Sequence, residues 1–398
     1  MKFTEKTFGF TLKTKVRSGV GIVSELPGIL KELGYEKIGV VIDGNLYDAL
    51  PQLNMVVDDC QKQFDAVIIH LYREKFEPTY QYLDQVKWEF KKDGTSLVDC
   101  IVGIGGGSAI DLAKGIATLI TNHEPSLTYR GFPTDINPSI PVIAVPSTAG
   151  TGTELAYNAV FIDDESKTKL GINTPNNYPV LSILDPEIVS KAPQSVVIAS
   201  GIGALIRTLE TLVTPEANSV SRMFSREAFK LIIDSLPKVV ADSNNLEHWS
   251  RMQWGAYYSM AALSNSSSGP AGAISYYLST QFNVPQGLGY GISGAKFARL
   301  NHSYGYYGYA ELFDTLNHRP KTNVDDKEKS EFVITSIENV LKRLQVPTNL
   351  VSFGMSMENY DTFFEFCTKT AKGALDFNPI KFEENVIGQM LQKMIGGS

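Results

Sequence analysis

Short apolar runs alternate with amphipathic segments along the first half of the chain. Two β-rich runs cover Lys37–Asp43 and Ala66–Leu71, a helical pattern follows over residues 81–92, and an apolar run around Cys100 leads into a helical pattern from Ala109. This alternation is typical of a parallel sheet that is covered by helices on both faces. The pattern therefore predicts an N-terminal α/β domain with a Rossmann-like parallel sheet.

The second half of the chain has a different pattern. After Asp185 the strand-like runs stop, and apolar stripes at helical spacing follow, as in residues 224–240 and 331–344. A chain of 398 residues is long enough to form two domains, each with its own core. The sequence therefore predicts an α/β nucleotide-binding domain over residues 1–190 and an all-helical domain over residues 191–398.

Composition narrows the class of protein. The formal net charge is −7 and no stretch is strongly basic, so nucleic acid is not an expected partner. Apolar runs fall short of the roughly 20 residues that a membrane span needs, and Met1–Lys6 lacks the apolar core of a signal peptide. The three cysteines lie far apart in sequence and do not indicate a disulfide framework or a metal cluster. We expect a cytoplasmic protein that binds neither nucleic acid nor a membrane.

A glycine run is the first candidate binding motif. The apolar run Ile101–Ile104 ends in Gly105, Gly106, Gly107 and Ser108, and the predicted helix begins at once. Glycines let the main chain approach an anion closely, and the start of a helix offers free N–H groups and a positive dipole end. We therefore expect these four residues to hold the phosphates of a nucleotide, although an ordinary strand–helix turn has the same local pattern.

A second loop strengthens this prediction. Pro146–Glu154 is rich in glycine and small hydroxyl residues, follows the apolar run Ile140–Val145, and contains Ser147, Thr148 and Thr151. Two such loops at strand ends are typical of a nucleotide site outside the carboxyl edge of a parallel sheet. The three hydroxyl residues join the predicted cofactor-binding set, and we expect the partner of this site to be a small molecule.

Asp43 is the last residue of the strand in the first predicted β-α unit, and it has two equally weighted interpretations. A carboxylate at this place can accept hydrogen bonds from a ribose 2′-hydroxyl and would repel a 2′-phosphate. Because Gly44 and Asn45 follow, Asp43 is equally suited to cap a turn or a helix. The acid favours NAD over NADP, with NADP still possible.

Four segments resemble the iron-dependent (group III) alcohol dehydrogenase family. The loop Gly105–Asp111 resembles the family's GGGS-x-x-D phosphate loop, and Pro146–Glu154 resembles its P-T-T-A-G-T-G-S-E segment. Asp185–Glu187 resembles the D-P-x-L element, and Asp376–Pro379 loosely resembles the A-x-D-x-x-x-x-N-P-R region. The resemblance implies a nucleotide-binding domain and a helical domain with the active site in the cleft between them. It also places Asp111 among the cofactor-binding residues and implies a homodimer.

The chain departs from this family at the metal site. The family holds a divalent metal with one aspartate and three histidines, the first two of which stand in T-G-x-D-A-L-x-H-A-I-E. This motif resembles Ser200–Glu210, where Gly203 stands at the aspartate position and Arg207 at the histidine position. Gly272 and Gln286 stand at the other two ligand positions. Glycine has no donor, glutamine is a poor ligand and arginine carries a fixed positive charge, so no divalent metal is expected.

Three residues are candidates to replace the metal. Arg207 can stabilise a developing alkoxide or hold a substrate carboxylate or phosphate, with Glu210, three residues on, as a rival partner. Tyr276 stands at a further histidine position of the family and could exchange a proton with the substrate oxygen. Lys296 could act as an acid or a base. The structural alternatives are a packing tyrosine and a solvated lysine.

These observations predict a metal-independent, NAD(P)-dependent alcohol oxidoreductase. Hydroxyl and amide residues in the helical half favour a polar, anionic polyol or sugar acid, and oxidation of the terminal hydroxyl of a 3-deoxy-octulosonic acid is one specific candidate. A non-redox cyclase or lyase that retains NAD remains an alternative. Product analysis would identify it, because it would form no net NADH. A catalytically inactive member that binds nucleotide is the other alternative, and a screen for turnover would separate it from the first.

Overall fold

The structure is a computed structural model in which residues 7–75, 77–320 and 323–396 are described. Met1–Lys6, on which the expectation of no signal peptide rests, lies outside the described residues. The chain divides into two compact units, which are taken in turn below.

The boundary between the units differs slightly from the predicted one. The first unit is Leu12–Pro193, and the second begins at Gln194 and also includes the residues up to Thr11. The sequence placed the boundary after residue 190 and assigned the N-terminal residues to the first domain. Asn265 of the second unit explains the difference, because it accepts a hydrogen bond from the Thr11 main-chain N–H at 2.6 Å and donates to the Thr11 carbonyl at 2.9 Å.

The strands lie in the first unit. Among the described residues they are β1 (Lys15–Ser18), β2 (Lys37–Asp43), β3 (Ala66–Tyr72), β4 (Lys91–Lys92), β5 (Thr95–Ser96), β6 (Cys100–Gly105), β7 (Val142–Pro146), β8 (Asn158–Ile162), β9 (Lys169–Asn173) and β10 (Leu181–Leu184). Six of them form one sheet in the order β1-β10-β7-β6-β2-β3, and every neighbouring pair in it is parallel. The predicted parallel α/β domain is confirmed.

Helices cover both faces of this sheet. Along β2, Val40 and Ile42 belong to one buried cluster, whereas Val41 between them belongs to the cluster on the other face. Both faces are apolar because side chains alternate along a strand and both faces are packed against helices. The helices of this unit are α1 (Leu26–Glu32), α2 (Gly44–Ala49), α3 (Pro51–Gln63), α4 (Tyr80–Val86), α5 (Gly107–Thr121) and α6 (Pro186–Val189).

The helix predicted over residues 81–92 is wrong in its second half. Helix α4 ends at Val86, a short 3₁₀ turn follows, and β4 and β5 then form an antiparallel hairpin. Asp93 and Gly94 connect the two strands with φ angles of 49° and 78°. An Asp-Gly pair adopts this left-handed conformation readily, and it is the preferred two-residue hairpin turn.

The second unit is helical, as predicted. Its long central helix, α7 (Gln194–Val213), has the length and the apolar composition of a membrane span, with a mean hydropathy of 1.7 over its 18-residue window. Because 78% of that window is buried within the protein, α7 has the burial of a core helix. The other helices are α8 (Ser219–Ala241), α9 (Leu246–Leu263), α10 (Pro270–Phe282), α11 (Gln286–Ser303), α12 (Asp326–Arg343), α13 (Tyr360–Glu365), α14 (Lys372–Leu375) and α15 (Glu384–Met394).

Candidate cofactor and catalytic sites

The glycine run forms a tight turn between β6 and α5. Gly105 ends the strand with a φ of 151°, a value that favours glycine. A Cβ on Gly105 would lie 2.8 Å from the Cβ of Ala109 and 3.0 Å from the Cβ of Asp43. Because Gly107 begins α5 directly after this turn, the first N–H groups of the helix face the space that follows the strand end.

The second loop packs against the first. The N–H of Ser147 donates to the carbonyl of Gly105 at 2.8 Å, since β6 and β7 are paired up to this point. Methyl carbons of the second loop lie beside the two middle glycines: that of Thr148 is 3.5 Å from the Cβ position of Gly106, and that of Thr151 is 3.3 Å from that of Gly107. The structure thus brings together seven predicted cofactor-binding residues: Gly105, Gly106, Gly107, Ser108, Ser147, Thr148 and Thr151.

Lys114 of α5 binds the end of the second loop and the residues that follow it. Its ammonium is fully buried and donates to the hydroxyl of Thr153 at 2.8 Å and to the carbonyls of Ala156 and Asn158, both at 2.9 Å. Burial lowers the pKa of Lys114, and the carboxylate of Asp111 at 3.6 Å opposes that shift. Lys114 therefore holds the chain that leaves the second loop against α5.

Asp111 belongs to this buried network. Its carboxylate accepts a hydrogen bond from the hydroxyl of Thr153, and burial raises its pKa while Lys114 lowers it. Asp111 thus positions the second loop, and direct contact with a cofactor stays a prediction for this residue.

Asp43 caps the helix that follows its strand. Its Oδ1 accepts hydrogen bonds from the N–H groups of Asn45 at 2.9 Å and Leu46 at 3.2 Å, so one of the two sequence interpretations is realised. The ribose role stays a prediction, which the closeness of Asp43 to the turn at Gly105 supports. The sequence analysis missed Arg73, whose side chain lies against Gly44 and is paired with Asp48.

A second missed residue in this region is Tyr72, at the end of β3. Its hydroxyl is hydrogen-bonded to the side chain of Ser108, and burial raises the pKa of Tyr72. The position of Tyr72 at a strand end was the signal that the sequence offered for it.

The first site as a whole fits the diphosphate of a nicotinamide dinucleotide. Its glycine turn tolerates no Cβ at Gly105, lies at the start of a helix and is lined with hydroxyl groups.

The helical unit places one face of α7 at the second candidate site. Gly203, Arg207 and Glu210 stand four and three residues apart and so share this face. A Cβ on Gly203 would lie 3.2 Å from the Cα of Gly287, which is a tight contact with main chain. A side chain at position 203 therefore needs a shift of α11, in which Gly287 is the second residue.

The position of Gly272 is already filled by other side chains. A Cβ on Gly272 would overlap the Oγ of Ser268 and would lie 2.6 Å from the phenol oxygen of Tyr290. Both hydroxyls thus occupy the volume into which a ligand side chain at position 272 would extend. The sequence analysis counted Ser268 and Tyr290 only among the hydroxyl residues of the helical half, because they lie 4 and 18 positions from residue 272 and meet it only in the folded helices.

Arg207 and Glu210 have different environments. Arg207 is 6% exposed and interacts electrostatically with Tyr290, as Tyr276 also does. The carboxylate of Glu210 lies at the start of α10, where it accepts a hydrogen bond from the N–H of Ala271 at 2.7 Å and one from Ser268 at 3.1 Å. The structure therefore brings Arg207 and Tyr276 together with the buried Tyr290 and Glu210 and the half-buried Ser268.

Lys296 does not belong to this group. Gly294 of the same helix faces Ile206 of α7, and Lys296 is two residues further on, about 200° around the helix axis. Lys296 lines a separate cavity of about 790 Å³ with Lys393 and Glu338. Burial and the charge of Lys393 lower the pKa of Lys296. Lys296 thus lies on the side of α11 that faces away from Ile206, and its catalytic role stays a prediction that this placement does not support.

The residues present do not fit the metal of the related enzymes. Position 207 carries a cation, position 203 faces main chain, and position 272 is occupied by neighbouring hydroxyls. In the described part of the chain, no group of three or more His, Cys, Asp or Glu side chains is placed to hold a metal ion.

Two protein-family models match the chain. The model of iron-containing alcohol dehydrogenase matches residues 13–186, and that of the Fe-containing alcohol dehydrogenase family, C-terminal, matches residues 197–395. Among similar proteins, NAD-dependent methanol dehydrogenase of Bacillus methanolicus is 26% identical over 357 residues, which is 88% of this chain and 92% of that protein. Sulfoacetaldehyde reductase of Bilophila wadsworthia is 25% identical over 358 residues, 88% of this chain and 89% of that protein.

Solved structures support the same assignment of the fold. A crystal structure of 1,3-propanediol oxidoreductase superposes with a TM-score of 0.89 at 24% identity and covers 98% of this chain and 100% of that chain. The fold predicted from the sequence, a parallel-sheet domain and a helical domain, is therefore confirmed. Because the two family models together span most of its length, the chain belongs to the iron-containing alcohol dehydrogenase family.

Proposed function

We propose that this protein is an NAD-dependent alcohol oxidoreductase that works without a divalent metal and acts on an anionic polyol or sugar acid. Membership of the family, with its NAD-dependent relative, confirms the broader prediction of a nicotinamide-dependent alcohol oxidoreductase. The observation that carries the rest is the replacement of the metal position by Arg207 and by the hydroxyls around Gly272.

Arg207 supplies the positive charge that the metal supplies in related enzymes. A metal polarises the reacting oxygen as a Lewis acid, and a buried guanidinium can stabilise the same developing negative charge. Its planar group can also bind a carboxylate or phosphate through two parallel hydrogen bonds. Arg207 therefore favours a substrate that is negatively charged or becomes so during the reaction.

Each unit contributes one part of the chemistry. When bound at the glycine cradle of the first unit, a nicotinamide cofactor supplies the hydride acceptor or donor. The N–H groups at the start of α5 and the hydroxyls of Thr148 and Thr151 hold the diphosphate. In the second unit, Arg207 orients the substrate oxygen or its anionic group, and Tyr276 contributes a further hydroxyl contact.

The substrate class has one parallel among the relatives. Sulfoacetaldehyde, named for the Bilophila wadsworthia relative, is an aldehyde that carries a negatively charged sulfonate. Hydroxyl-bearing side chains around Arg207, such as Ser268, Tyr276 and Tyr290, suit a polyhydroxylated anion better than a simple alkanol. A panel of sugar acids, including 3-deoxy-octulosonic acid, is therefore the first set of substrates to assay.

Elemental analysis tests metal independence. The purified protein is expected to hold less than about 0.1 transition metal per chain, and chelator treatment is expected to leave turnover with NAD unchanged. Iron or zinc at about one per chain, with activity that is lost on chelation and regained with the metal, would contradict the proposal.

Substitution of Arg207 tests the substrate role. In Arg207→Met, turnover on sugar acids is expected to fall by at least about 100-fold, whereas Arg207→Lys should keep part of it because the charge remains. Arg222→Met serves as the control, since Arg222 is a half-exposed arginine paired with Glu311. Unchanged turnover in Arg207→Met would rule out the role. Products formed without net NADH would point to the non-redox alternative.

A further inference from the structure

A chain of hydrogen bonds connects the hydroxyl groups beside Gly272 with the carboxylate of Glu210. The hydroxyl of Tyr290 lies 3.2 Å from the Oγ of Ser268, and Ser268 donates to the Oε2 of Glu210 at 3.1 Å. Because the single hydroxyl hydrogen of Ser268 is used toward Glu210, Tyr290 is the donor in the other hydrogen bond. The three groups therefore form one directed chain that ends at a carboxylate.

The surroundings of Glu210 raise the pKa of its carboxyl group. Burial raises its pKa to about 7, although N–H groups at the start of α10 and Ser268 oppose the shift. Tyr290 of α11 and Tyr309, which follows α11, interact electrostatically with it, and Arg207 stands three residues before it on α7 and interacts with Tyr290. Near neutral pH the carboxyl can therefore both accept and release a proton.

We propose that Tyr290, Ser268 and Glu210 form the proton relay of this enzyme, with Tyr290 as the residue that contacts the substrate oxygen. The inference rests on the proposed function, because it assigns the proton that an alcohol oxidoreductase must move. The hydroxyl of Tyr290 is the end of the chain that is farthest from Glu210, and it lies 2.6 Å from the position of a Cβ on Gly272, which corresponds to a metal-ligand position of the family. Ser268 and Glu210 are positioning and relay residues behind it.

The step balances in both directions. During oxidation, the carbinol C–H bond breaks and its hydrogen leaves with two electrons to the nicotinamide cofactor. The substrate O–H bond breaks at the same time, and its proton goes to the Tyr290 oxygen as the Tyr290 proton moves to Ser268 and the Ser268 proton moves to Glu210. One C=O bond forms, and Glu210 then releases the proton to solvent. Reduction runs the same transfers in reverse.

Arg207 complements this chain. Its positive charge lowers the pKa of Tyr290, whereas burial and the charge of Glu210 raise it. A guanidinium beside the phenol therefore favours the moment at which the tyrosine oxygen carries negative charge. Arg207 stabilises charge, and the relay moves the proton.

Three substitutions test the relay kinetically. Tyr290→Phe, Ser268→Ala and Glu210→Gln are each expected to lower kcat by about 100-fold or more, with the NADH dissociation constant unchanged. In the wild type, kcat for oxidation should rise with pH through a midpoint near 7, since Glu210 must be ionised to accept the proton. Glu210→Gln should remove that midpoint. Tyr309→Phe is the matched control, because Tyr309 is a buried tyrosine near Glu210 that bonds to Asn301 instead.

An infrared titration of the protein without substrate provides a readout independent of turnover. The carbonyl band of protonated Glu210 should disappear with a midpoint near pH 7, be missing in Glu210→Gln, and shift in frequency in Ser268→Ala because its donor is lost. Wild-type kinetics in Tyr290→Phe, with Arg207→Met inactive, would overturn the relay and leave the proposed function standing. If the wild type shows no NAD-dependent turnover, the proposed function and the role of the relay in catalysis are both overturned. The infrared band of Glu210 would still test whether the hydrogen-bonded chain exists. A Glu210 band unaffected by Ser268→Ala would overturn the chain itself.

Discussion

The phenol oxygen of Tyr290 lies 2.6 Å from the point that a Cβ on Gly272 would occupy. Restoring the family's histidine at this position should therefore not restore a metal site. We expect Gly272→His to lower the free energy of unfolding by about 1–3 kcal/mol, because the new side chain displaces Tyr290 and Ser268 in a packed region. Chemical denaturation measures the loss, and elemental analysis should show no gain of zinc or iron. A variant as stable as the wild type with bound metal would contradict this view of the site.

Lys114 provides a test of the first unit. Replacing it by methionine leaves the buried carboxylate of Asp111 without its cation, so Lys114→Met should lower the free energy of unfolding by about 3–5 kcal/mol. The double variant Lys114→Met with Asp111→Asn should recover part of the loss, since Asp111 is then neutral and Glu154 is the buried acid that remains nearby. Lys230→Met, an exposed lysine on α8, should change stability by less than about 0.5 kcal/mol. A loss below 1 kcal/mol in Lys114→Met would show that its hydrogen bonds do not hold the second loop.

Patterns of neighbouring residues predicted the cofactor site at Gly105 but not the group of residues around Glu210. The turn at Gly105 could be predicted because a strand, consecutive glycines and a helix start determine the main-chain geometry within about ten residues. Ser268 and Tyr290 lie 58 and 80 positions from Glu210, and the packing of α7, α10 and α11 brings them together. No local pattern of neighbouring residues indicates that packing.

The prediction for Lys296 is a different case. Helical periodicity already separates Lys296 from Gly294 by about 200°, so the small residue that allows close packing against α7 and the lysine cannot share a face. The sequence analysis named Lys296 for the acid–base chemistry of its side chain. Lys296 is therefore a case in which the physical signal was present and was not used.

Glu210 should make stability depend on pH. Its pKa is raised from 4.5 to about 7 in the folded state, so the folded state binds the proton more tightly than the unfolded chain does. The stability that the protonated carboxyl contributes is present below about pH 4.5 and is lost as the pH rises through 7. Relative to Glu210→Gln, the wild type should lose roughly 3 kcal/mol of unfolding free energy between pH 4 and pH 8. Denaturant titrations of both proteins across this range measure the difference, and a constant difference would show that Glu210 has an ordinary pKa.

Asp43 allows the cap and the cofactor roles to be separated in one substitution. Asparagine keeps the Oδ1 that accepts from Asn45 and Leu46, so Asp43→Asn should retain the cap and change stability by only a few tenths of a kcal/mol. It removes the negative charge that would repel a 2′-phosphate and leaves Arg73 nearby to attract one. We expect the ratio of the NADPH to the NADH dissociation constant to fall by roughly tenfold, whereas the remote control Asp59→Asn should leave it unchanged. Fluorescence titration with both cofactors measures the ratio. An unchanged ratio in Asp43→Asn, or a wild type that prefers NADPH, would leave Asp43 as a helix cap alone.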